Sequence, residues 1–181
     1  MSSKFNPLNK QVLIGNIGEL IAKHYIESIK KEEVVSSNND YKYDLLTSSS
    51  IKYEVKNDLK YIIYKKNLFL EFQSNDKPSG IKTTDSNYYV FVCPNDDSYN
   101  VVDIVEFKTD DLKILTNEKN ENDLMKKSTS YLDYNNNITP YKTKGFILPI
   151  KIYEPYAVIT TFKRTTNSKL YDTIDEIIKL I

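Results

Sequence analysis

Asp44, Glu54 and Lys56 are the residues of this 181-residue chain whose types and spacing could do chemistry. Asp44 lies in the alternating run Tyr41-Lys42-Tyr43-Asp44-Leu45-Leu46, three serines follow at Ser48–Ser50, and then comes Ile51-Lys52-Tyr53-Glu54-Val55-Lys56. Folded as a hairpin about the serines, these segments set Asp44 directly across from Glu54. Strand alternation puts Lys56 on the face of Glu54. Facing carboxylates with nothing between them repel by about 0.2–1 kcal/mol on the cross-strand scale. A divalent cation reverses that sign, and a hard ion prefers oxygen ligands. The patch therefore predicts a Mg²⁺ site suited to phosphodiester cleavage. The same triplet would also make a surface salt-bridge ladder on an ordinary hairpin, and a one-residue register slip would put Asp44 on the opposite face from Glu54.

Several elements must hold this patch. Leu13 to about Lys31 reads as a helix with an apolar stripe of Leu13, Ile17, Leu20, Ile21 and Ile29. A neighbouring stripe of Gly15, Glu19, Ala22 and Ile26 places small residues around Glu19, which would let the helix approach a sheet closely. Glu32 to Asp40 reads as a polar connector, followed by hairpin strands at about 41–47 and 51–57. Asn67–Gln73 is a further strand, with Leu68, Leu70 and Phe72 on one face and Phe69, Glu71 and Gln73 on the other. Ser74–Gly80 is a turn. Tyr88–Cys93 is nearly continuous apolar β sequence, as a central strand requires. Asn100–Val105 reads as a strand and Glu106 to about Asn117 as a helix. Residues 120–139 are polar and poorly periodic, an expected irregular loop. Gly145–Tyr153 and Tyr156–Phe162 read as short edge strands interrupted by prolines. Ser168 would cap a last helix carrying Leu170, Ile174, Ile177, Ile178 and Ile181 on its apolar face. The sum is an α/β or α+β fold with a mixed sheet, in a single domain.

Composition narrows the function. The chain carries 25 basic and 25 acidic residues, so no global charge draws it to nucleic acid or membrane. Arg164 is the lone arginine, which leaves little equipment for bidentate reading of guanine. Cys93, the single cysteine, sits in apolar strand sequence and reads as a packed thiol; a reducing, intracellular compartment fits. The polar Met1–Lys10 has no apolar leader core, and no apolar run nears the ~20 residues that span a bilayer. His24 is the one histidine, which argues against a zinc enzyme. Four glycines and no phosphate-cradling loop argue against a nucleotide cofactor.

The helix with Glu19, the strand aspartate Asp44 and Glu54-Val55-Lys56 together resemble the PD-(D/E)XK nuclease superfamily. Its members include restriction endonucleases, archaeal Holliday junction resolvases and many phage and repair nucleases. Glu71-Phe72-Gln73-Ser74, then Lys77-Pro78-Ser79-Gly80-Ile81 and Thr83-Thr84, resemble viral and bacterial members in which an acidic strand leads into such a turn and a tyrosine-rich strand. Tyr43 stands where the motif often has proline. The resemblance covers about residues 14–105 and implies a restriction endonuclease-like αβββαβ core, with residues 106–181 as an extension of unassigned role.

The resemblance also implies roles. Asp44, Glu54 and the backbone carbonyl of Val55 would hold Mg²⁺ (Mn²⁺ could substitute), with Glu19 anchoring a metal-bound water or second ion from the helix. Lys56 would orient or help deprotonate the attacking water. Glu71 and Gln73 would extend the site, unless they are an exposed strand face. Lys77, Ser79, Thr83 and Thr84 would hold a backbone phosphate, or else satisfy a tight turn locally. Lys60, Lys65 and Lys66 would steer DNA, with Tyr61 and Tyr64 available to stack on bases, or form a solvated loop. The expected activity is Mg²⁺-dependent DNA hydrolysis that selects structure over sequence. Branched DNA and a homodimer follow by analogy with the resolvases. A non-catalytic nucleic-acid-binding module on the same fold is the alternative; a structural protein with a coincidental motif is a third.

Overall fold

The computed structural model describes residues 7–37, 42–118, 143–165 and 168–181. Helix α1 (Pro7–Tyr25) runs on into a π-helical turn, Ile26–Lys30, closed by Lys31 in the left-handed region. The strands are β1 (Val34–Ser37), β2 (Leu45–Thr47), β3 (Lys52–Asn57), β4 (Leu68–Ser74), β5 (Lys77–Pro78), β6 (Tyr88–Pro94), β7 (Val101–Lys108), β8 (Thr143–Leu148) and β9 (Ala157–Lys163). Helix α2 (Thr109–Glu118) follows β7, the short α3 (Ile150–Tyr153) follows β8, and α4 (Lys169–Ile178) comes last. Among the described residues no helix is long and apolar enough to cross a membrane.

A six-stranded mixed sheet, ordered β1-β2-β3-β6-β7-β9, forms the middle layer, and a three-stranded sheet ordered β5-β4-β8 lies beside it. The β3–β6 pairing is parallel and the other pairings are antiparallel. Tyr53 and Val55 of β3, Val90 and Val92 of β6, and Val102 and Ile104 of β7 pack on Ile17, Ile21, Ala22, Tyr25 and Ile26 of the first helix and on Tyr171 and Ile174 of α4. Tyr89, Phe91 and Cys93 of β6 and Val105 and Phe107 of β7 face Leu68, Leu70, Phe72, Phe146 and Leu148 of the small sheet and Leu112 and Leu115 of α2. The protein is thus α/β, with a mixed sheet between a helical layer and a layer of sheet and helix. Since Tyr53 and Val55 point into the helical layer, alternation sends Glu54 and Lys56 to the opposite face.

Several sequence expectations hold. Tyr88–Cys93 is a central strand, buried along nearly its whole length, and the Cys93 thiol is free and packed. β4 alternates as read, with Leu68, Leu70 and Phe72 buried, and β8 and β9 occupy sheet edges.

Others need correction. The polar connector contains strand β1: only Val34 of its four residues is buried, and backbone pairing to β2 holds the rest at the sheet edge. The strand at 67–73 does not join the main sheet; it seeds the second one. Glu106–Lys108 continue β7, so α2 starts at Thr109. Ile150–Tyr153 is a helical turn, not the end of a strand. Ser168 precedes α4 without a side-chain capping bond. In the first helix Ile29 is 52% exposed, and the buried face runs between the two stripes, through Ile14, Ile17, Ile21, Tyr25 and Ile26. The described residues past 106 are built into the fold, since β9 pairs with β7 and β8 with β4. The expected irregular loop at 120–139 lies outside the described residues.

Candidate acid site

The hairpin supplies the geometry. Leu45 pairs with Tyr53 and Leu46 with Lys52, so the register carries Asp44 opposite Glu54. Asp44 stands one residue before β2. Its N–H donates to the Tyr53 carbonyl (2.9 Å), and its carboxylate Oδ2 accepts the Val55 N–H at 2.6 Å. In extended backbone the N–H and C=O of one residue leave by the same edge of the strand. The Val55 carbonyl therefore points to the side of Asp44, beyond the end of the β2 ladder. Lys56 Nζ lies 2.7 Å from Glu54 Oε1, with 38% of the Lys56 side chain open to solvent and 8% of the Glu54 side chain.

Glu19 is delivered by close helix packing. A methyl group on Gly18 would stand 2.9 Å from the Cβ of Asn57, whereas one on Gly15 would meet nothing within 4 Å. Gly18, not Gly15, is the small residue on which the approach depends. The half-buried Glu19 then feels Asp44, Glu54 and Lys56 electrostatically.

The electrostatics are those of crowded acids. Burial first, then the neighbouring Glu54, push the Asp44 carboxyl up to about 6, against the opposing pull of Lys56 and the Val55 N–H. Burial and Asp44 also raise Glu19. Burial works against the Lys56 ammonium, but Tyr89 (once ionised), Glu54 and Asp44 outweigh it and hold its pKa above the usual lysine range.

Among the described residues no three acid, thiol or imidazole groups come together as a ready metal cluster. Glu19 therefore stands within electrostatic reach of Asp44 and Glu54 but outside a common three-acid ligand set. Two carboxylates and one carbonyl remain, an all-oxygen donor set of the kind a hard cation takes.

The remaining expected residues divide. Thr84 joins the site: its hydroxyl lies 3.3 Å from Glu54 Oε2, 3.0 Å from the Lys42 carbonyl and 2.9 Å from Ser86 Oγ, and its single proton serves one of them at a time. Ser79 donates to Glu71 Oε1 at 2.6 Å, so these two residues engage each other. Gly80 (φ +53°) sits over Glu71, where a Cβ would come 2.3 Å from the Glu71 carbonyl oxygen; the tight turn needs glycine there. Gln73 reaches Asp76 locally at 3.4 Å, and the Thr83 hydroxyl donates to the Gly80 carbonyl. Lys77 is exposed on β5.

Lys60, Lys65 and Lys66 lie on the turn after β3. Lys66 is not a free cation, since its Nζ is 3.2 Å from Asp103. Tyr61 is fully buried and cannot stack on a base, whereas Tyr64 is 47% exposed.

Sequence reasoning passed over two features. Tyr89 sits beside Glu54 in the β3–β6 register. Its hydroxyl is buried without a hydrogen-bond partner among the described residues, and burial raises its pKa. Ser86 links Thr84 to Thr109 (Oγ–Oγ1 3.0 Å), extending a chain of hydroxyls away from Glu54. The signal for Tyr89 was alternation: it shares the face of Glu54, but its apolar neighbours make it read as core.

No protein-family model and no curated protein matches the chain.

Proposed function

We propose that this protein is a Mg²⁺-dependent deoxyribonuclease of the restriction endonuclease-like kind. The observation that carries the reading is the pairing of Asp44 with the Glu54–Lys56 ion pair at one edge of β3. The order helix, three antiparallel strands, then a strand parallel to the third also supports it, with α1, β1, β2, β3 and β6 filling those places. The helix expected between the third and fourth strands of such a core has no counterpart here; residues 58–87 instead contribute β4 and β5.

Asp44, Glu54 and the Val55 carbonyl would hold the ion, and Mn²⁺ could replace it. When bound, the ion supplies Lewis acidity and charge neutralisation at a phosphodiester. Lys56, whose ammonium stays charged, orients the attacking water and offsets charge developing on the phosphate. Thr84 steadies Glu54 by its hydroxyl. Glu19 anchors solvent from the helix side. Scarcity of arginine favours selection by DNA shape, and a branched substrate cut twice calls for a homodimer.

The test is Mg²⁺-dependent cleavage of linear, single-stranded and four-way-junction DNA by the full chain. Cleavage that disappears in folded Asp44→Ala, Glu54→Ala and Lys56→Ala variants is expected. Binding without cleavage under every divalent ion would instead point to the non-catalytic nucleic-acid-binding module.

A further inference from the structure

The turn that follows β3 exposes apolar side chains on a stiff frame. Ile63 is 75% exposed, Ile62 39% and Tyr64 47%. Such exposure would be unremarkable on a slack loop, but this one is fastened at both ends. Asp58 accepts the Lys60 N–H through Oδ1 (3.0 Å) and the Phe69 N–H through Oδ2 (3.2 Å), tying the start of the turn to β4. The Lys66 N–H donates to the Tyr61 carbonyl at 2.8 Å, and the Tyr64 N–H to the Lys60 carbonyl at 2.9 Å. Tyr61 is sunk in the core, and the Tyr153 hydroxyl donates to the Lys66 carbonyl at 2.9 Å. Lys65 and Lys66 take left-handed backbone, at φ 56° and 62°, which folds the turn back on itself.

Lysines are the only charged residues from 60 to 66, while Asp58 at the base of the turn attracts Lys60, whose Nζ lies 6.0 Å over the Tyr64 ring. Lys60 and Lys65 flank the tip, and neither has a carboxylate within 4 Å among the described residues; the acids nearby, Asp58 and Asp103, are already engaged. An apolar point between unpaired lysines complements a partner that offers phosphate outside and flat apolar surface within, as stacked bases do. Proteins that kink nucleic acid insert aliphatic wedges between base steps in this way. Reach is also suitable. The four residues of chain from Glu54 to Asp58, where the turn begins just past β3, span about 13 Å if extended, the length of about four base steps at 3.4 Å each.

We propose that Ile62, Ile63 and Tyr64 form a wedge that parts stacked bases a few steps from the acid site, with Lys60 and Lys65 on the flanking phosphates. The proposal rests on the nuclease reading only in taking nucleic acid as the partner. It gives a physical cause for shape selectivity: DNA that is already bulged, nicked or branched opens at less cost.

The test uses the full chain with Ca²⁺ in place of Mg²⁺, and duplexes carrying a bulge or a four-way junction with the fluorescent base 2-aminopurine at successive steps. Wild-type protein is expected to raise the fluorescence at one or two steps. Ile63→Ser, which changes an exposed side chain, is expected to abolish that rise and weaken binding to branched DNA roughly tenfold, as loss of one base contact does. Lys60→Gln with Lys65→Gln is expected to weaken binding to all DNA and flatten its salt dependence. An unchanged signal in Ile63→Ser overturns the wedge, as does absence of DNA binding, or preference for phosphatidylserine vesicles over DNA. Unstacking without cleavage in Mg²⁺ would keep the wedge and remove the nuclease reading; cleavage with an unaltered Ile63→Ser signal would do the reverse.

Discussion

Gly18 of α1 stands against Asn57 of β3 so closely that no side chain fits between them. The asparagine cannot swing aside, because its Nδ2 donates to the Ile14 carbonyl (2.8 Å) and to the Tyr99 hydroxyl (2.7 Å). This contact fixes the distance from the helix to the acid-bearing strand, and Glu19 is the next residue along.

Gly18→Ala should therefore destabilise the protein although it improves helix propensity. Propensity favours alanine by about 1 kcal/mol, whereas overpacking against a fixed backbone costs about 1–3 kcal/mol. A net loss of up to about 2 kcal/mol in urea unfolding is expected, with reduced cleavage as α1 carries Glu19 away from Asp44. A variant as stable as the wild type would mean that the helix yields freely.

Asp44 sets a pH dependence whose sign can be stated. Its carboxyl titrates at about 6 in the fold against an ordinary 3.8, so the folded state binds this proton more tightly. The group's contribution to stability is complete below the ordinary value and is lost as pH rises through about 6. Asp44→Asn should accordingly raise metal-free stability at pH 7.5 by roughly 1–3 kcal/mol, discounted because the group is only half-buried, and leave it unchanged near pH 3.5. Thermal melts of both proteins in EDTA across that range decide it. Mg²⁺ should stabilise the wild type and not the variant.

Lys56 acts on the same titration from the other side, because it pulls the Asp44 pKa down. In Lys56→Met the Asp44 carboxyl should titrate above about 6, which carboxyl NMR would read directly. Cleavage should fall by roughly 10²–10⁴, the usual contribution of a positioned proton-transfer group. A carboxyl that titrates as in the wild type would show that Lys56 and Asp44 do not communicate.

Lys30 and Glu106 offer a contrast outside the acid site. Lys30 Nζ lies 2.8 Å and 2.9 Å from the two carboxylate oxygens of Glu106, and 4.0 Å from the centre of the Tyr88 ring. The Glu106 side chain is 6% exposed. Lys30→Met strands that carboxylate and should cost about 3–5 kcal/mol, while any protein that still folds keeps its metal affinity. Calorimetric titration with Mn²⁺ separates the two effects.

The sequence made the hairpin legible because its signals were local. Ser48–Ser50 interrupt two alternating segments, and Ser50 takes left-handed backbone (φ 66°) to close the turn. Alternation then brought Asp44 across from Glu54 without knowledge of any other strand. Strand β1 escaped notice for a physical reason: an edge strand with one buried side chain has no apolar period, and its backbone bonds leave no trace in composition. The second sheet was hidden because β4 finds β8 across 69 to 80 residues of chain, from Ser74–Thr143 to Leu68–Leu148. Tyr61 and Tyr64 look alike in sequence, and only the reversal of the turn between them sinks one and exposes the other.

β8 closes the layer over the face that bears Glu54 and Lys56, yet it belongs to the last quarter of the chain. During translation the acid-bearing hairpin leaves the ribosome well before Phe146 and Leu148 arrive to seal Leu68, Leu70 and Phe72. The growing polypeptide thus displays a greasy surface while the 80 residues from Leu68 to Leu148 are added, in need of a chaperone or of haste. A stop codon shortly after Glu118 would yield a product that keeps Glu19, Asp44 and Glu54 but has no lid for its core, destined for degradation rather than for work.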